Sequence, residues 1–415
     1  MPVLASLCGL ALLAVVLQDA FEVMLLPRRV HRRVRLMRLF FQSAWAFWSA
    51  IARHIADLQR REGLLSVFGA LSMVLLFMLW ATGLIAGFGL VEWASEPHSN
   101  SPLPEQLYMS GVTFFTLGYG DVVPHSGLAR LVAVIEAGTG IGFIAVVIGY
   151  LPVLYQLFAR REAHVLQLDG RAGSPPTAGE MLRRHAEPGG LQKLDELLRA
   201  WEIWASDLLE SHLSYPMLVF YRSQHHNQSW LGALAAVMDG CALVLVGVED
   251  MGQLQARMTF TMARQVMVEM ARSFAISPSR YTGGDRLDHA AYARLEAALL
   301  EYGLNWVGGA GAEETLATLR ATYEPLLDGL AKYLMLPLPG WLPEDEATDH
   351  WEAGHRGLIA SRLIEELSGP GGPSPLASMQ SARSWRRLRQ RLKSSESQPD
   401  SGNAARSTSA SPPPG

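Results

Sequence analysis

The fold is decided by the stretch "TFFTLGYGDVVP", residues 113–124, which combines two glycines with an acid. It lies between two of the most apolar segments of the chain. In a soluble protein, a glycine-rich turn of this kind could hold a phosphate group. In a membrane, the backbone oxygens of the same turn could replace the water around an ion. The composition and the flanking segments decide between these two environments.

The composition favours a chain that lies partly in lipid. Of its 415 residues, 49% are hydrophobic and only 18% are charged. The mean hydropathy of +0.13 is high for a globular protein. The net charge of −4 gives no reason to expect nucleic-acid binding. Cys8 and Cys241 are far apart in sequence, so they indicate neither a disulfide framework nor a cysteine-based metal site.

Three segments are expected to cross the membrane. Residues 64–90 carry no charge and residues 131–158 carry only Glu136, and each segment exceeds the roughly 20 residues that span a bilayer. A third segment, residues 3–26, carries Asp19 and Glu22 near its far end. A cleaved signal peptide is the alternative there, but the basic start and the small-residue cleavage site are missing, which favours an uncleaved helix.

The arginines predict the orientation of these segments. Arginines are concentrated between Arg28 and Arg61, and no Lys or Arg follows until Arg130. By the positive-inside rule, residues 27–63 are cytoplasmic and residues 91–127, which include Glu92 and Glu96, face outward. Arg160 and Arg161 then place the end of the last crossing inside, so the N-terminus is expected outside and the C-terminal half in the cytoplasm.

Residues 36–51 form an apolar segment that is short for a crossing. Its apolar residues recur at helical spacing: Leu36, Leu39, Phe40, Phe47, Trp48, Ile51 and Ile55. Its polar residues fall on the opposite face: Arg38, Gln42, Ser49 and Arg53. This pattern predicts a helix that lies in the inner headgroup layer. If the segment spans the bilayer instead, the N-terminus moves to the cytoplasm.

The quoted stretch must line a cavity if it lies within the membrane. Pro102 or Pro104 can occupy the first turn of a helix, so residues 101–115 predict a short helix that dips into the bilayer. Lipid tolerates the irregular backbone that follows only where protein or water surrounds it. Gly118 and Gly120 can adopt positive φ, which allows successive carbonyls to point to one side. The carbonyls of residues 116–119 and the Thr116 hydroxyl would then form rings of oxygen around an ion when several copies meet.

Residues 64–160 resemble the pore module of potassium channels, which consists of an outer helix, a pore helix, a selectivity filter and an inner helix. The filter of that family has the same loop with Val in place of Leu117, and "LARLVAVIEAGTGIGF", residues 128–143, resembles the inner helix of bacterial two-helix channels. The resemblance implies an all-α membrane protein that conducts K⁺ passively as a homotetramer in a prokaryotic plasma membrane. It implies no enzymatic activity and no cofactor besides the permeant K⁺.

The resemblance also implies roles for individual residues. The ion-binding filter would consist of Thr116, Leu117, Gly118, Tyr119, Gly120 and Asp121. Tyr119 would pack against pore-helix aromatics such as Tyr108, and Asp121 would end the filter at the outer mouth. Gly140 occupies the position of the gating hinge, and Pro152 lies near the inner mouth. Val112 stands where some bacterial members have a glutamate, so gating that depends on that acid is not implied.

The phase of the inner helix predicts which residues line the pore. Ile141, Ile144 and Ile148 form the expected pore stripe, whereas Gly138 and Gly142 are expected to let helices pack closely. Glu136 lies off this stripe and has two possible roles. It can face the back of the pore helix as a hydrogen-bonded structural group, which we favour, or it can face the cavity and attract cations. The arginines of residues 28–38 lie outside any apolar span, so no voltage sensor is predicted.

The C-terminal half is predicted to be an all-α cytoplasmic domain. The only strand-like segment is "HVLQL", residues 164–168, and a loop at residues 169–180 follows it. The predicted helical runs are residues 191–210, 229–248, 251–276, 285–302, 312–335 and 349–367. The run at 229–248 is apolar enough to be a further crossing, but Asp239 in its middle favours a buried core helix.

The residues of the C-terminal half do not identify a ligand. No strand leads into a Gly-x-Gly-x-x-Gly motif of the kind that binds dinucleotides. Residues 211–230 include His212, His225 and His226 and could form a metal or ligand site. Because adjacent histidines do not share a face, a polar connector between helices is favoured.

The expected organisation has five parts. They are an N-terminal transmembrane helix (1–27), a cytoplasmic connector (28–63), the pore domain (64–160), a helical cytoplasmic domain (161–368) and a tail of disordered composition (369–415). Two alternatives to a potassium channel remain. One is a membrane-anchored signalling or binding protein with a non-conducting pore module, and the other is a non-selective cation channel. Membrane lipid is the expected partner besides further copies of the chain.

Overall fold

The computed structural model describes residues 2–25, 36–96, 102–224, 227–249, 251–277 and 284–343. Regular structure in these residues is helical, and an isolated bridge joins Val248 to Trp306. The α-helices are α1 Pro2–Met24, α2 Leu36–Arg53, α3 Leu58–Ser95, α4 Leu103–Phe114, α5 Gly127–Ala172, α6 Ala178–Arg184, α7 Gly190–Ser214, α8 Trp230–Gly247, α9 Gln253–Ser273, α10 His289–Glu301, α11 Ala310–Ala321 and α12 Glu324–Leu334, and a 3₁₀ helix covers Pro216–Phe220. The protein is an all-α membrane protein, as the sequence predicts.

The helices α1, α3 and α5 are long and apolar enough to cross a membrane. Helix α1 packs against α3 through small residues, since a Cβ on Gly9 would lie 2.7 Å from the Gly87 carbonyl oxygen. In turn, a Cβ on Gly87 would lie 2.7 Å from the side chain of Leu13. Glycine on both helices therefore brings their backbones together, which is how apolar helices associate without a hydrophobic driving force.

Both acids of α1 are buried, and Asp19 connects the helix to its neighbours. Asp19 is buried and accepts hydrogen bonds from the Met37 backbone N–H, at 3.1 Å, and from Trp80 Nε1, at 3.0 Å. Glu22 is also buried and accepts a hydrogen bond from Gln18. Asp19 therefore links α1 to the start of α2 and to α3, a structural role that its sequence position did not reveal.

Helix α2 confirms that residues 36–51 are helical, and it packs against both halves of the chain. The Trp45 ring lies 4.9 Å from Phe68 of α3 and 5.0 Å from Phe220, between ring centroids. Residues 217–220 are buried in this cluster, so the prediction of a polar connector there is wrong. The sequence pattern failed because the apolar run Met217–Phe220 is too short to show a period. His225 and His226 lie outside the described residues.

Helix α5 corrects the prediction of a strand at residues 164–168. That segment belongs to the last turns of α5, which continues from the apolar span to Ala172 and passes through the expected domain boundary at 160. Arg161 is buried and donates to the backbone oxygens of Leu218 and Tyr221 at 2.9 and 2.6 Å. The pattern of residues 164–168 did not indicate a strand correctly, because the longer helical segment that contains these five residues determines their conformation.

The C-terminal helices follow the prediction with two corrections. The predicted run 312–335 is two helices, α11 and α12, because Pro325 starts a new helix in its first turn. Helix α6 falls partly in a segment predicted to be a loop. Helix α8 is almost wholly buried within the protein, which supports a core helix over a further crossing. The predicted helix at 349–367 and the tail 369–415 lie outside the described residues.

Candidate functional site

The short helix α4 is followed directly by the glycine-rich loop. Pro102 caps α4 and a proline lies in its first turn, as expected for a helix start. At its end, the Thr116 N–H donates to the Thr113 oxygen at 3.0 Å and the Leu117 N–H donates to the Val112 oxygen at 2.8 Å. These two bonds fix where the helix stops and the extended loop begins.

The loop backbone alternates in the sign of φ. Thr116, Gly118 and Gly120 have φ values of 58°, 62° and 76°, whereas Leu117 and Tyr119 between them do not have positive φ. In the described part of the chain, no hydrogen bond reaches the carbonyl oxygens of residues 116–119, and these residues are exposed. The positive φ of the two glycines agrees with the sequence prediction. That of Thr116 was missed, because a β-branched residue rarely adopts it.

The end of the loop that follows Gly120 is held by a tyrosine of α4. The Tyr108 hydroxyl donates to Asp121 Oδ2 at 3.0 Å. The expected ring contact between Tyr119 and Tyr108 is not among the aromatic contacts of the described residues, and the Tyr119 side chain is 67% exposed. Within one chain, Tyr108 therefore positions Asp121, and the Tyr119 ring remains available to a neighbouring molecule.

A second hydrogen-bond network joins the end of α3 to the start of α5. The buried Glu96 carboxylate accepts from the backbone N–H groups of His125 and Ser126, the latter at 2.9 Å. Burial alone would raise the pKa of Glu96, but these hydrogen bonds and the nearby His125 ring more than offset it, so the pKa lies below its usual value. The Ser126 hydroxyl also donates to the Ser95 oxygen at 3.1 Å. These hydrogen bonds therefore fix the position at which the chain passes from the loop into α5.

A buried pair of acids lies behind the loop. Glu136 of α5 accepts a hydrogen bond from the Ser110 hydroxyl of α4, and its side chain is fully buried. This geometry favours the structural role of Glu136 over a role in the cavity. Glu92 of α3 is also fully buried, and its carboxyl group lies close to that of Glu136.

Glu92 is buried within α3, whereas the sequence analysis placed it in the segment 91–127 that follows the span. It is the first charged residue after the uncharged run 64–90, so its burial could have been inferred from the length of α3, which continues to Ser95. An acid within a spanning helix is a candidate for a specific role by default. Glu92, Ser110 and Glu136 together join the three helices that surround the loop.

The inner helix shows close packing at a different glycine from those expected. A Cβ on Gly140 would lie 2.0 Å from the Phe114 oxygen, at the end of α4, whereas nothing lies within 4 Å of a Cβ on Gly138 or Gly142. The expectation that Gly138 and Gly142 let helices pack is therefore not met within one chain. The predicted pore stripe, Ile141, Ile144 and Ile148, is 59%, 38% and 67% exposed. Helix α5 continues without interruption through Pro152.

The histidine that the structure describes in residues 211–230 does not form a metal site. No group of three His, Cys, Asp or Glu side chains in the described residues could hold a metal ion. His212 is buried, its Nδ1 lies 2.8 Å from the Leu208 oxygen and its Nε2 lies 3.4 Å from Arg161 Nη1. Burial and the Arg161 charge lower the pKa of His212 to about 3. The ring is a neutral structural group.

Comparison with known proteins shows that the region containing the loop is similar to ion channels. Residues 64–156 match the family model described as ion channel. The uncharacterized membrane protein YdjJ of Bacillus subtilis is 29% identical over 222 residues, which cover 51% of this chain and 62% of that protein. A Rhodopseudomonas palustris protein that carries the provisional name of a potassium channel is 25% identical over 40% of this chain and 35% of its own length.

A third relative, named as a cyclic nucleotide-gated potassium channel of Rhizobium etli, is 30% identical over 29% of this chain and 31% of its own length. Each of these relatives is therefore matched over less than two thirds of its own length. No solved structure matches the chain. The region that carries the alternating loop is thus similar to ion channels, and the comparisons cover the rest of the chain only in part.

Proposed function

We propose that the protein is a potassium-selective channel that conducts K⁺ passively as a homotetramer. The observation that carries this proposal is the alternating φ of residues 116–120, which leaves a row of carbonyl oxygens without hydrogen-bond partners among the described residues. Such oxygens can replace the hydration shell of K⁺ as the ion passes. The similarity of residues 64–156 to ion channels supports the same conclusion.

Four copies are needed because each chain contributes one row of carbonyl oxygens. A closed ring of identical chains around an axis gives oxygen ligands on all sides of the ion. The exposed Tyr119 ring and the exposed stripe Ile141, Ile144 and Ile148 are the surfaces that such a ring would bury or turn toward the pore. We infer that the filter residues Thr116 to Asp121 bind the ion.

The proposal is tested by K⁺ flux into liposomes with two matched substitutions. In Gly118→Ala the new Cβ meets no atom within 4 Å, so the change acts through the backbone, because φ of +62° is unfavourable for an L-residue by about 1 to 2 kcal/mol. Gly127→Ala, at the start of α5, also meets nothing within 4 Å and has no positive φ. We expect Ba²⁺-sensitive K⁺ flux for the wild type and Gly127→Ala and its loss in Gly118→Ala.

Two results would contradict this function. Equal flux of Na⁺ and K⁺ indicates a non-selective cation channel. Cellular function that persists in Gly118→Ala while flux is lost indicates a pore module that serves only to assemble four cytoplasmic domains.

A further inference from the structure

An open cavity lies between helix α2 and the C-terminal half of the chain. Its volume is about 310 Å³, which is in the range of small-molecule sites. One wall is a face of α2 and the other is formed by the ends of α9 and α12. The lining residues are Gln42, Trp45, Ala46, Ser49, Arg53, Phe274 and Tyr333. The α2 wall includes three of the four residues that the sequence places on the polar face of this helix.

The aromatic wall is held in place by contacts within the chain. Trp45 Nε1 donates to the Tyr333 backbone oxygen at 2.9 Å. The ring centroids of Phe274 and Tyr333 are 5.1 Å apart, and those of Trp45 and Tyr333 are 6.4 Å apart. A ligand would therefore enter a preformed site, which lowers the entropic cost of binding.

The charges at this site have no counter-ion in the described part of the chain. Arg53 lines the cavity, and the charge of Arg38, which is not a lining residue, acts on the nearby Tyr333 hydroxyl. Neither arginine forms an ion pair or hydrogen bond with a described residue. Other arginines of the chain are paired, such as Arg222 with Glu62 at 2.6 Å. Guanidinium groups without a carboxylate partner favour an anionic ligand, and their planar fork suits phosphate oxygens.

The outer face of α2 indicates where this cavity lies relative to the membrane. Leu39, Phe47 and Ile51 are 61%, 67% and 42% exposed on that face. Trp48 Nε1 donates to the Leu64 oxygen at 3.0 Å, at the point where α3 passes from charged to uncharged residues. The cavity therefore lies at the level expected for the inner headgroups, where phosphate groups are concentrated.

We propose that this cavity binds a phosphate-bearing anion through Arg53. Gln42 and Tyr333 supply neutral hydrogen-bonding groups beside it. Because the cavity joins α2 to the C-terminal half, the bound anion connects the membrane surface to that half. The inference concerns binding alone and holds whether or not the pore conducts. The phosphate can belong to a lipid headgroup or to a soluble compound, and the experiment distinguishes the two.

The experiment measures ligand binding to the purified full-length chain in neutral detergent. Native mass spectrometry and the melting temperature report binding of phosphatidylglycerol, with phosphatidylcholine as the zwitterionic comparison. The variant is Arg53→Gln. The control is Arg60→Gln, which removes the same charge from an 83% exposed arginine that is outside the cavity. We expect phosphatidylglycerol to bind in preference to phosphatidylcholine, and Arg53→Gln to weaken its binding about tenfold, as loss of one charge-assisted hydrogen bond implies.

A second arm uses inorganic phosphate alone. Stabilisation by phosphate that Arg53→Gln abolishes assigns the site to soluble phosphate compounds, whereas stabilisation by the lipid alone assigns it to a headgroup. Equal binding of phosphatidylglycerol to the wild type and Arg53→Gln overturns the proposal. So does an equal loss in Arg53→Gln and Arg60→Gln, because that result would show only a general attraction of anionic lipid to basic residues.

Discussion

At the scale of single residues, the closest backbone approach near the loop is at Gly140. A Cβ there would lie 2.0 Å from the Phe114 oxygen, so Gly140→Ala must push α5 away from the end of α4. We expect a loss of roughly 1 to 3 kcal/mol of stability, as for other overpacked sites, together with a loss of flux. Gly142→Ala is the control, because its Cβ meets nothing within 4 Å. A Gly140→Ala protein as stable as Gly142→Ala contradicts this packing.

The buried acids behind the loop lead to a second prediction. Glu136→Gln keeps a hydrogen-bonding group beside Ser110 and Glu92, so we expect nearly unchanged stability. Glu136→Leu leaves the buried Glu92 and Ser110 groups without this partner, and we expect a loss of about 1 to 3 kcal/mol. The melting temperature of the purified chain measures both. A Glu136→Leu protein that is as stable as Glu136→Gln shows that the buried network does not contribute.

A third prediction concerns His212 and pH. Its pKa of about 3 in the folded protein lies below the usual 6.5 of the unfolded chain. As the pH falls, the unfolded chain therefore binds a proton at His212 before the folded protein does. The contribution of His212 to the free energy of unfolding is complete above pH 6.5. It decreases between pH 6.5 and 3 by about 1.4 kcal/mol per pH unit. We expect His212→Gln to reduce this slope in melting curves, with His164→Gln, at a half-buried histidine, as the comparison. Equal slopes in all three proteins would contradict the assignment.

At the scale of the helices, α8 is held in the C-terminal half by the ion pair and hydrogen bonds of Asp239. Asp239 accepts two hydrogen bonds from Arg286, at 3.0 and 3.1 Å, and one from the Tyr323 hydroxyl, at 2.6 Å. Removing one partner of a buried pair costs about 3 to 5 kcal/mol, so we expect Asp239→Ala to destabilise the chain by that amount. Glu196→Ala is the control, since the Lys193–Glu196 pair is exposed and contributes about 1 kcal/mol at most. Equal melting temperatures of the two variants would show that α8 does not depend on this network.

The helices also show how far the sequence predicts the structure. Hydropathy and length were sufficient for α1, α3 and α5, and prolines were sufficient for the start of α4. Local alternation failed at residues 164–168, because a helix that begins far upstream determines their conformation. The positive φ of Thr116 and the contact of Glu92 with Glu136 depend on which helices meet around the loop, and a single segment does not contain that information.

At the scale of the whole molecule, the account depends on four chains around one axis with their C-terminal halves in the cytoplasm. Protease added to the cytoplasmic face should cleave the C-terminal half while the spans remain protected. Protection of the C-terminal half from that protease would contradict the orientation that the arginines predict. Removal of an exposed arginine such as Arg60 should leave the orientation unchanged, because neighbouring arginines share its effect.

The central claim is that residues 116–121 select K⁺. The most direct measurement is the reversal potential of the purified protein in a planar bilayer with K⁺ on one side and an equal concentration of Na⁺ on the other. We expect a large potential with the sign of K⁺ permeation, because the backbone oxygens of this loop can replace the hydration shell of K⁺. A reversal potential near zero, with measurable current, would contradict the account.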